Sequence, residues 1–460
     1  MKNFTSTGLP LREKRARVRD MASKERTPRK VLIIGGGFAG LECARRLGND
    51  DRFEVTLIDR TNHHLFQPLL YQVATASLAS PDIARSIRQI LHNAKNVTVL
   101  MDEVKSISPT KKTVTGASGT VYDFDYLVLA AGAKTGFFGN DQWEAYSLGL
   151  KSLSDAQDIR RKILSNLERA ELTTDYAERE RLMTIAIVGG GPTGVELSGA
   201  LADLIHRTLK SNFRRIDTSK LRVILIENSP KILEHYDPEQ SDYAKERLQK
   251  LGVEVWNEMR VTNVLENRLE FQDGSSLDAK AIVWAAGIAA SPLTRDLGVD
   301  TDRAGRITPN LDLSIKGHPD IFVAGDLTNM RDKEDKFVPG VAPAAVQMGD
   351  HISKLLKEEL RLEGTTFAER KQELRPLFRY NDKGMMAIIG KNAAVLKAGN
   401  LKMNGFFAWI AWLLIHILFL IGFSNKISVL IGWAFSYLSN KPQARIIVHP
   451  PAFTDAEHPV

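Results

Sequence analysis

The chain has 460 residues, room for roughly three domains at about 150 residues each. Its 43% hydrophobic and 25% charged residues lie near the globular average, which argues against wholesale disorder, a collagen-like fibre and a polytopic membrane protein. The formal charge of +7 is uneven: residues 1–30 hold ten basic and three acidic residues and residues 365–460 hold eleven and five, leaving the body between them at −6, a pattern that suits an anionic membrane surface better than nucleic acid.

Residues 1–29 form a basic extension without the apolar run of a secretory leader. They are read as a solvated segment, with Met21 as an alternative start; Arg12, Arg15, Arg17 and Arg19 suit a transit peptide, but Glu13, Asp20 and Glu25 do not. From Val31 the run VLIIGGGFAGLECARRL predicts a strand, a glycine turn and a helix. It recurs from Ile185 as IAIVGGGPTGVELSGAL. Each copy is followed at nearly equal distance by an apolar strand ending in Ala-Gly, at Gly132 and at Gly287. Between these marks, Val97 to Asp123 and Val253 to Asp278 each read as a β-meander. The repeat predicts two copies of one nucleotide-binding unit. A third glycine site follows the strand Ile321 to Ala324 at Gly325 and Asp326, and APAAVQMGDHISKLLKEEL predicts a helix. Residues 361–375 read as a charged connector. The tail then carries the apolar run GFFAWIAWLLIHILFLIGF, 405–423, with His416 as its strongly polar interruption, and a second run from Ile427 to Leu438.

The glycine turns carry the chemistry. Gly35, Gly37 and Gly40 make G-x-G-x-x-G directly after a strand, and Asp59 ends the next strand. Gly189, Gly191, Gly194 and Glu227 repeat the set. In such a unit the first glycine permits a tight turn, the second admits a pyrophosphate and the third lets helix and strand pack closely. The helix N-terminus attracts the phosphates. An acid on the ribose disfavours a 2′-phosphate by up to roughly 4 kcal/mol at 4 Å and an effective dielectric near 20, and no Arg follows Glu227, so NADH is preferred over NADPH. Two such sites in one chain suggest a flavin and a nicotinamide, with Asp326 returning to the first unit to meet the flavin's polyol chain.

With both turns, the two Ala-Gly strand ends and IFVAGD, the chain resembles the two-dinucleotide-binding-domain flavoproteins. Over nearly its whole length it is similar to type II NADH:quinone oxidoreductases, on NHHLFQPLLYQVATASL, VPGVAPAAVQMG, DKGMMAIIGK and the apolar tail. The resemblance implies an α/β fold with two Rossmann-like domains, the second inserted in the first: residues 30–135 and 291–360 for FAD, 136–290 for NADH and 361–460 as a C-terminal α-helical membrane-anchoring region. FAD is then expected on Gly35, Gly36, Gly37, Phe38, Ala39, Gly40, Asp59, Arg60, Val104, Ala131, Gly132, Asp326, Val346 and Gln347. NADH is expected on Gly189, Gly191, Pro192, Thr193, Gly194, Glu196, Glu227, Ala286 and Gly287. Glu196 and Gln347 match family positions near the reacting rings. Pro343 replaces a glutamine common in the family and removes a side-chain donor from the quinone end. His64 and Pro68 fall in a segment near the flavin, where His64 is equally read as an interior histidine.

As one helix the apolar run from Phe406 would measure about 27 Å, just short of a bilayer core of about 30 Å. Trp409, Trp412, Trp433 and Tyr437 are read as interfacial anchors and Lys402, Lys426, Lys441 and Arg445 as headgroup partners. The resemblance favours a monotopic reading, with the helices in one leaflet; it also implies the cytoplasmic face of a bacterial inner membrane, with a mitochondrial location left open, and a homodimer. The expected chemistry is hydride transfer from nicotinamide C4 to flavin N5, then two electrons to a membrane quinone, without a metal and without proton pumping. Rivals are a soluble-type NADH-dependent reductase of another carrier and a nucleotide-regulated membrane-binding protein without turnover. A flavin disulfide reductase or sulfide:quinone oxidoreductase needs paired cysteines, and Cys43 is alone.

Overall fold

The computed structural model describes residues 27–209, 212–363, 372–439 and 446–447. Most of the basic extension, with Arg12, Arg15, Arg17, Arg19 and Met21, lies outside them, as do residues 364–371 of the connector, Lys441, Arg445 and the side chain of Tyr437.

The chain begins β1 (Arg29–Ile34), α1 (Phe38–Leu47), β2 (Phe53–Asp59), β3 (Val97–Met101), β4 (Tyr126–Leu129) and the long α2 (Leu153–Leu172). It continues with β5 (Thr184–Val188), α3 (Pro192–Asp203), β6 (Arg222–Ile226), β7 (Val253–Trp256) and β8 (Ala281–Trp284), then β9 (Ser314–Ile315), β10 (His318–Val323) and α4 (Ala342–Leu362). A hairpin sheet β11 (Met385–Ile388), β12 (Ala394–Ala398), β13 (Leu401–Gly405) leads to α5 (Phe406–Phe419) and α6 (Phe423–Ser439). Two sheets organise the body, in the orders β9-β10-β4-β1-β2-β3 and β7-β6-β5-β8. All neighbours are parallel except β9 and β10. Their strands are short apolar runs because both faces are covered.

Each sheet wears helices on one face and a three-stranded meander on the other. In the first, Val31, Ile33, Leu57 and Val128 pack under α1 and α4, while Leu32, Ile34, Ile58 and Leu129 meet Val104, Ile107 and Val114. In the second, Ile185, Ile187, Val223 and Leu225 pack with α2, α3 and the tail, while Ala186, Val188, Ile224 and Ile226 meet Val264, Leu269 and Phe271. The meanders are narrower than the stretches that predicted them: they start at Val104 and Val261, because Val97–Met101 and Val253–Trp256 join the parallel sheets instead. Ala133–Thr135 and Ile288–Ala290 pair antiparallel, tying together the two points where the chain passes between the sheets.

The tail corrects two expectations. The apolar run is not one helix: α5 ends at Phe419, 14 residues and about 21 Å long, and no helix among the described residues is long and apolar enough to cross a membrane. The chain turns at Gly422, with φ +96° and the Arg85 guanidinium where a side chain would stand. Nor are the three described tryptophans interfacial anchors. Trp409, Trp412 and Trp433 are buried in the core, and Trp433 Nε1 donates to Gln72 Oε1 at 2.7 Å. Phe407, Leu414, Leu418, Phe423 and Ile431 occupy the exposed side instead. Lys402 pairs with Asp237 at 3.0 Å, and Lys426 Nζ donates to the Leu418 carbonyl at 2.9 Å, so both flanking lysines already have protein partners.

Candidate functional site

Both glycine turns open into one continuous cavity of about 3010 Å³. Gly35 has φ +102° and Gly189 φ +115°, where an L side chain would be strained. A Cβ on Gly37 or Gly191 would meet no atom within 4 Å, so the floor of each turn is open to a bulky group. Gly40 and Gly194 behave differently. They do not line the cavity, because each lies beneath its turn, where a Cβ would stand 2.0 Å from Gly35 O or 1.9 Å from Gly189 O. Their place is helix-to-strand packing rather than cofactor contact.

The acids at the strand ends are held alike. Asp59 Oδ2 accepts from Gly36 N at 2.6 Å, and its Oδ1 accepts from Thr61 N and Oγ1 at 2.7 Å. Glu227 Oε2 accepts from Gly190 N at 2.6 Å and its Oε1 from Ser229 N at 2.7 Å. Such charge-assisted bonds fix each carboxylate at the rim of its turn. Gly36, Phe38, Ala39, Arg60, Val104, Ala131 and Gly132 line the first half of the cavity, and Pro192, Thr193, Glu196, Ala286 and Gly287 the second. Asp326, Val346, Gln347 and Pro343 line it from the third glycine site and α4.

Burial moves the pKa values of several groups at and around the cavity. Asp326 is raised by desolvation, against which Lys151, 4.0 Å away, and Arg306 act. His64 is buried and lowered by desolvation; its Nδ1 lies 3.0 Å from Gly36 O and its ring meets Phe38 edge-on. Its Nε2 is buried without a partner among the described residues. Glu196 is half-buried because the cavity reaches it, yet protein atoms enclose its carboxyl and push its pKa up to about 8. Ile388 N, on β11, lies 3.4 Å from its Oε1, a long hydrogen bond. The Trp412 N–H is close enough to favour its charged form but makes no hydrogen bond of ordinary geometry. Cys43 is buried on α1 with its thiol pushed up to about 12, a packed and inert position.

The residues present fit a dinucleotide at each turn: open space over Gly37 and Gly191, fixed acids beside it and a helix N-terminus below it. Sequence reasoning missed Lys151 and Arg306 beside Asp326, since nothing local marks them and only the fold brings them there.

The pyridine nucleotide-disulphide oxidoreductase family matches residues 29–349. A type II NADH:quinone oxidoreductase of Mycobacterium tuberculosis, NdhA, is 42% identical over 421 residues, covering 89% of this chain and 87% of the relative. A second from that organism, Ndh, is 41% identical over 435 residues, covering 92% and 91%. NDH2 from Plasmodium falciparum in complex with NADH superimposes with a TM-score of 0.82 at 21% identity, over 92% of this chain and 100% of that one, a likeness of fold. This chain therefore belongs to the pyridine nucleotide-disulphide oxidoreductases and, within them, to the type II NADH:quinone oxidoreductases, FAD-containing enzymes that oxidise NADH and reduce a quinone.

Proposed function

We propose that residues 30–135 and 291–360 hold FAD, that residues 136–290 hold NADH, and that the tail brings quinone to the same cavity from a membrane. The observation that carries this reading is the continuity of the cavity: Gly37, Gly191, Asp326 and, from α5, Ile415, His416, Leu418 and Phe419 all line it. When bound, FAD supplies acceptance of hydride from the nicotinamide and delivery of two electrons to quinone.

The chain's own work is placement and proton management. Asp59 and Glu227 fix the rims of the two turns and accept ribose hydroxyls. Asp326, restrained by Lys151, takes the polyol chain. Gly132, where a Cβ would meet nothing within 4 Å, keeps a side chain out of the space where the two rings approach, while Gly287, with φ +72°, lets the chain pass close to Phe138 and Gly136. Glu196, protonated at neutral pH, holds a proton beside the cavity for the quinone oxygens. Trp412 and the β11 strand shield it from bulk water.

The exposed apolar side of α5 and α6 supports monotopic attachment: Phe407, Leu418 and Phe423 are 74%, 70% and 80% exposed, a cost in water that a leaflet removes. Attachment on the cytoplasmic face of a bacterial inner membrane and a homodimer through the C-terminal region belong to the same reading and rest on the resemblance.

One stopped-flow experiment tests the chemistry. NADH should bleach the flavin absorbance and a quinone should restore it within a turnover; a flavin that quinone cannot reoxidise overturns the assignment. Co-sedimentation with anionic vesicles tests attachment, and the triple substitution Phe407→Glu, Leu414→Glu, Phe423→Glu, at exposed positions outside the cavity lining, should release the protein while leaving NADH bleaching intact. Binding unchanged by those substitutions would remove the tail from the reading.

A further inference from the structure

α5 carries one strongly polar side chain along its apolar length, and the fold gives the two nitrogens of that side chain different fates. His416 Nδ1 lies 2.7 Å from the carbonyl oxygen of Trp412, one turn back. A carbonyl accepts and never donates, so Nδ1 carries the ring proton and Nε2 keeps a bare lone pair. The ring stacks on the Trp412 indole with centroids 3.9 Å apart and planes 23° apart, and Phe66 meets it edge-on at 6.3 Å. Orientation and tautomer are therefore both fixed. Burial lowers the pKa to about 4, so the ring is neutral at physiological pH.

The place is as informative as the tautomer. Phe66 also packs edge-on against Phe38, the first residue of the helix that leaves the first glycine turn. His416 lines the common cavity from the helix with the exposed apolar side, two aromatic rings away from that turn. Trp412, the ring it stacks on, also lies beside the Glu196 carboxyl, and no carboxylate or amine bonds to the imidazole among the described residues.

Resting on the reading of this cavity as the place of quinone reduction, we propose that His416 is a binding residue selective for the reduced quinone: Nε2 accepts a hydrogen bond from a quinol hydroxyl and offers nothing to the oxidised ring. Each oxygen of a quinone is a carbonyl, an acceptor that repels a second acceptor. Two electrons and two protons turn both oxygens into hydroxyls, each a donor. The contact therefore forms as the product forms. It draws the equilibrium on the enzyme toward product and slows product departure.

The test uses the full-length, FAD-loaded enzyme with 2,3-dimethyl-1,4-naphthoquinone and its quinol. His416→Asn keeps an amide N–H at the Nδ1 position, bonded to Trp412, and places nothing at Nε2. His416→Gln reaches the Nε2 position and gives up the Trp412 bond. Loss of one hydrogen bond predicts that His416→Asn raises the product-inhibition constant of the quinol about tenfold. The KM for quinone should move less than about twofold, and NADH bleaching should be unchanged. His416→Gln should hold the quinol constant within about threefold of the wild type. An unchanged quinol constant in His416→Asn overturns the proposal, as does equal weakening of quinone and quinol, or a larger defect in His416→Gln than in His416→Asn, the mark of a merely structural ring. If both variants lose flavin, equilibrium dialysis of the wild type decides: quinol must bind about tenfold more tightly than quinone, and equal affinities overturn the proposal. A wild-type flavin that the naphthoquinone cannot reoxidise is a separate result, and it removes the quinone reading instead.

Discussion

Gln347 closes both ends of its side-chain amide on the backbone of Asn381, donating from Nε2 to the carbonyl oxygen at 3.0 Å and accepting from the N–H at 2.9 Å. The amide is thereby committed to holding a loop whose next residues, Asp382, Lys383 and Gly384, line the cavity. Besides lining the cavity itself, the glutamine thus also holds that segment in place. Gln347→Ala should loosen that loop and raise the quinone KM about tenfold, the loss of two net hydrogen bonds of about 1 kcal/mol or less each. The rate of flavin bleaching by NADH should stay within about twofold. Gln347→Glu keeps the acceptor but sets a carboxylate against the Asn381 carbonyl, so it should recover little. Equal damage to both half-reactions would show that the loop also positions the nicotinamide side.

On the proposed placement of NADH, Glu227 sets the choice of nicotinamide cofactor. Its carboxylate is pinned by Gly190 N and Ser229 N, so it cannot swing away from a 2′-phosphate. Glu227→Ala removes the repulsion but leaves the Gly190 N–H without its acceptor. The expected outcome is a ratio of kcat/KM for NADH over NADPH that falls at least about tenfold, mostly through loss on NADH. A ratio that does not move would place the discrimination elsewhere on the cavity wall.

What could be read along the chain, and what could not, follows from the range of the interactions. Gly35, Gly189 and the acids Asp59 and Glu227 were legible because strand, turn and helix are local, and a strand-end acid reaches its turn by register alone. The same motif did not separate Gly37 from Gly40: one faces open space, while the other packs against Gly35 O. In the tail, hydropathy located the apolar residues but gave no orientation. Trp409, Trp412 and Trp433 turn inward because the hairpin sheet and the segment around Tyr71 and Gln72 supply a core for them, while the place of a side chain at Gly422 is taken by Arg85, far away in sequence. The paired grip of Gln347 on Asn381 is likewise a tertiary fact with no local signal.

Gly349 on α4 tests how the first unit is held. A Cβ there would stand 2.2 Å from Ala39 O on α1, and both partners are backbone, so neither helix can yield without the other. Gly349→Ala should push α1 away from α4 at a cost of about 2 kcal/mol. Since α1 begins at the first glycine turn, the strain falls on the turn proposed to hold FAD. The variant should purify with less flavin and a lower melting temperature, while NADH affinity at the second turn is retained. Full flavin content at wild-type stability would mean that the helices part more easily than their close approach implies.

Glu196 gives the enzyme a pH-dependent stability whose sign is fixed by its environment. Burial pushes its pKa from an ordinary 4.5 up to about 8, so the folded chain keeps a proton that the unfolded chain releases. Between about 4.5 and about 8 the native state binds more protons than the unfolded state, and stability falls as pH rises through that window. Below it the two states are alike; above it the full penalty applies, on the order of 3 kcal/mol once water reaching the carboxyl through the cavity is allowed for. Glu196→Gln cannot ionise and escapes the penalty. With FAD bound, the variant and the wild type should melt within about 1 °C of each other at pH 5, and the variant should melt about 5 °C higher at pH 9. A difference of the same size at both pH values would show that the carboxyl does not hold its proton in the fold, and the proton assigned to Glu196 for quinone reduction would then need another carrier.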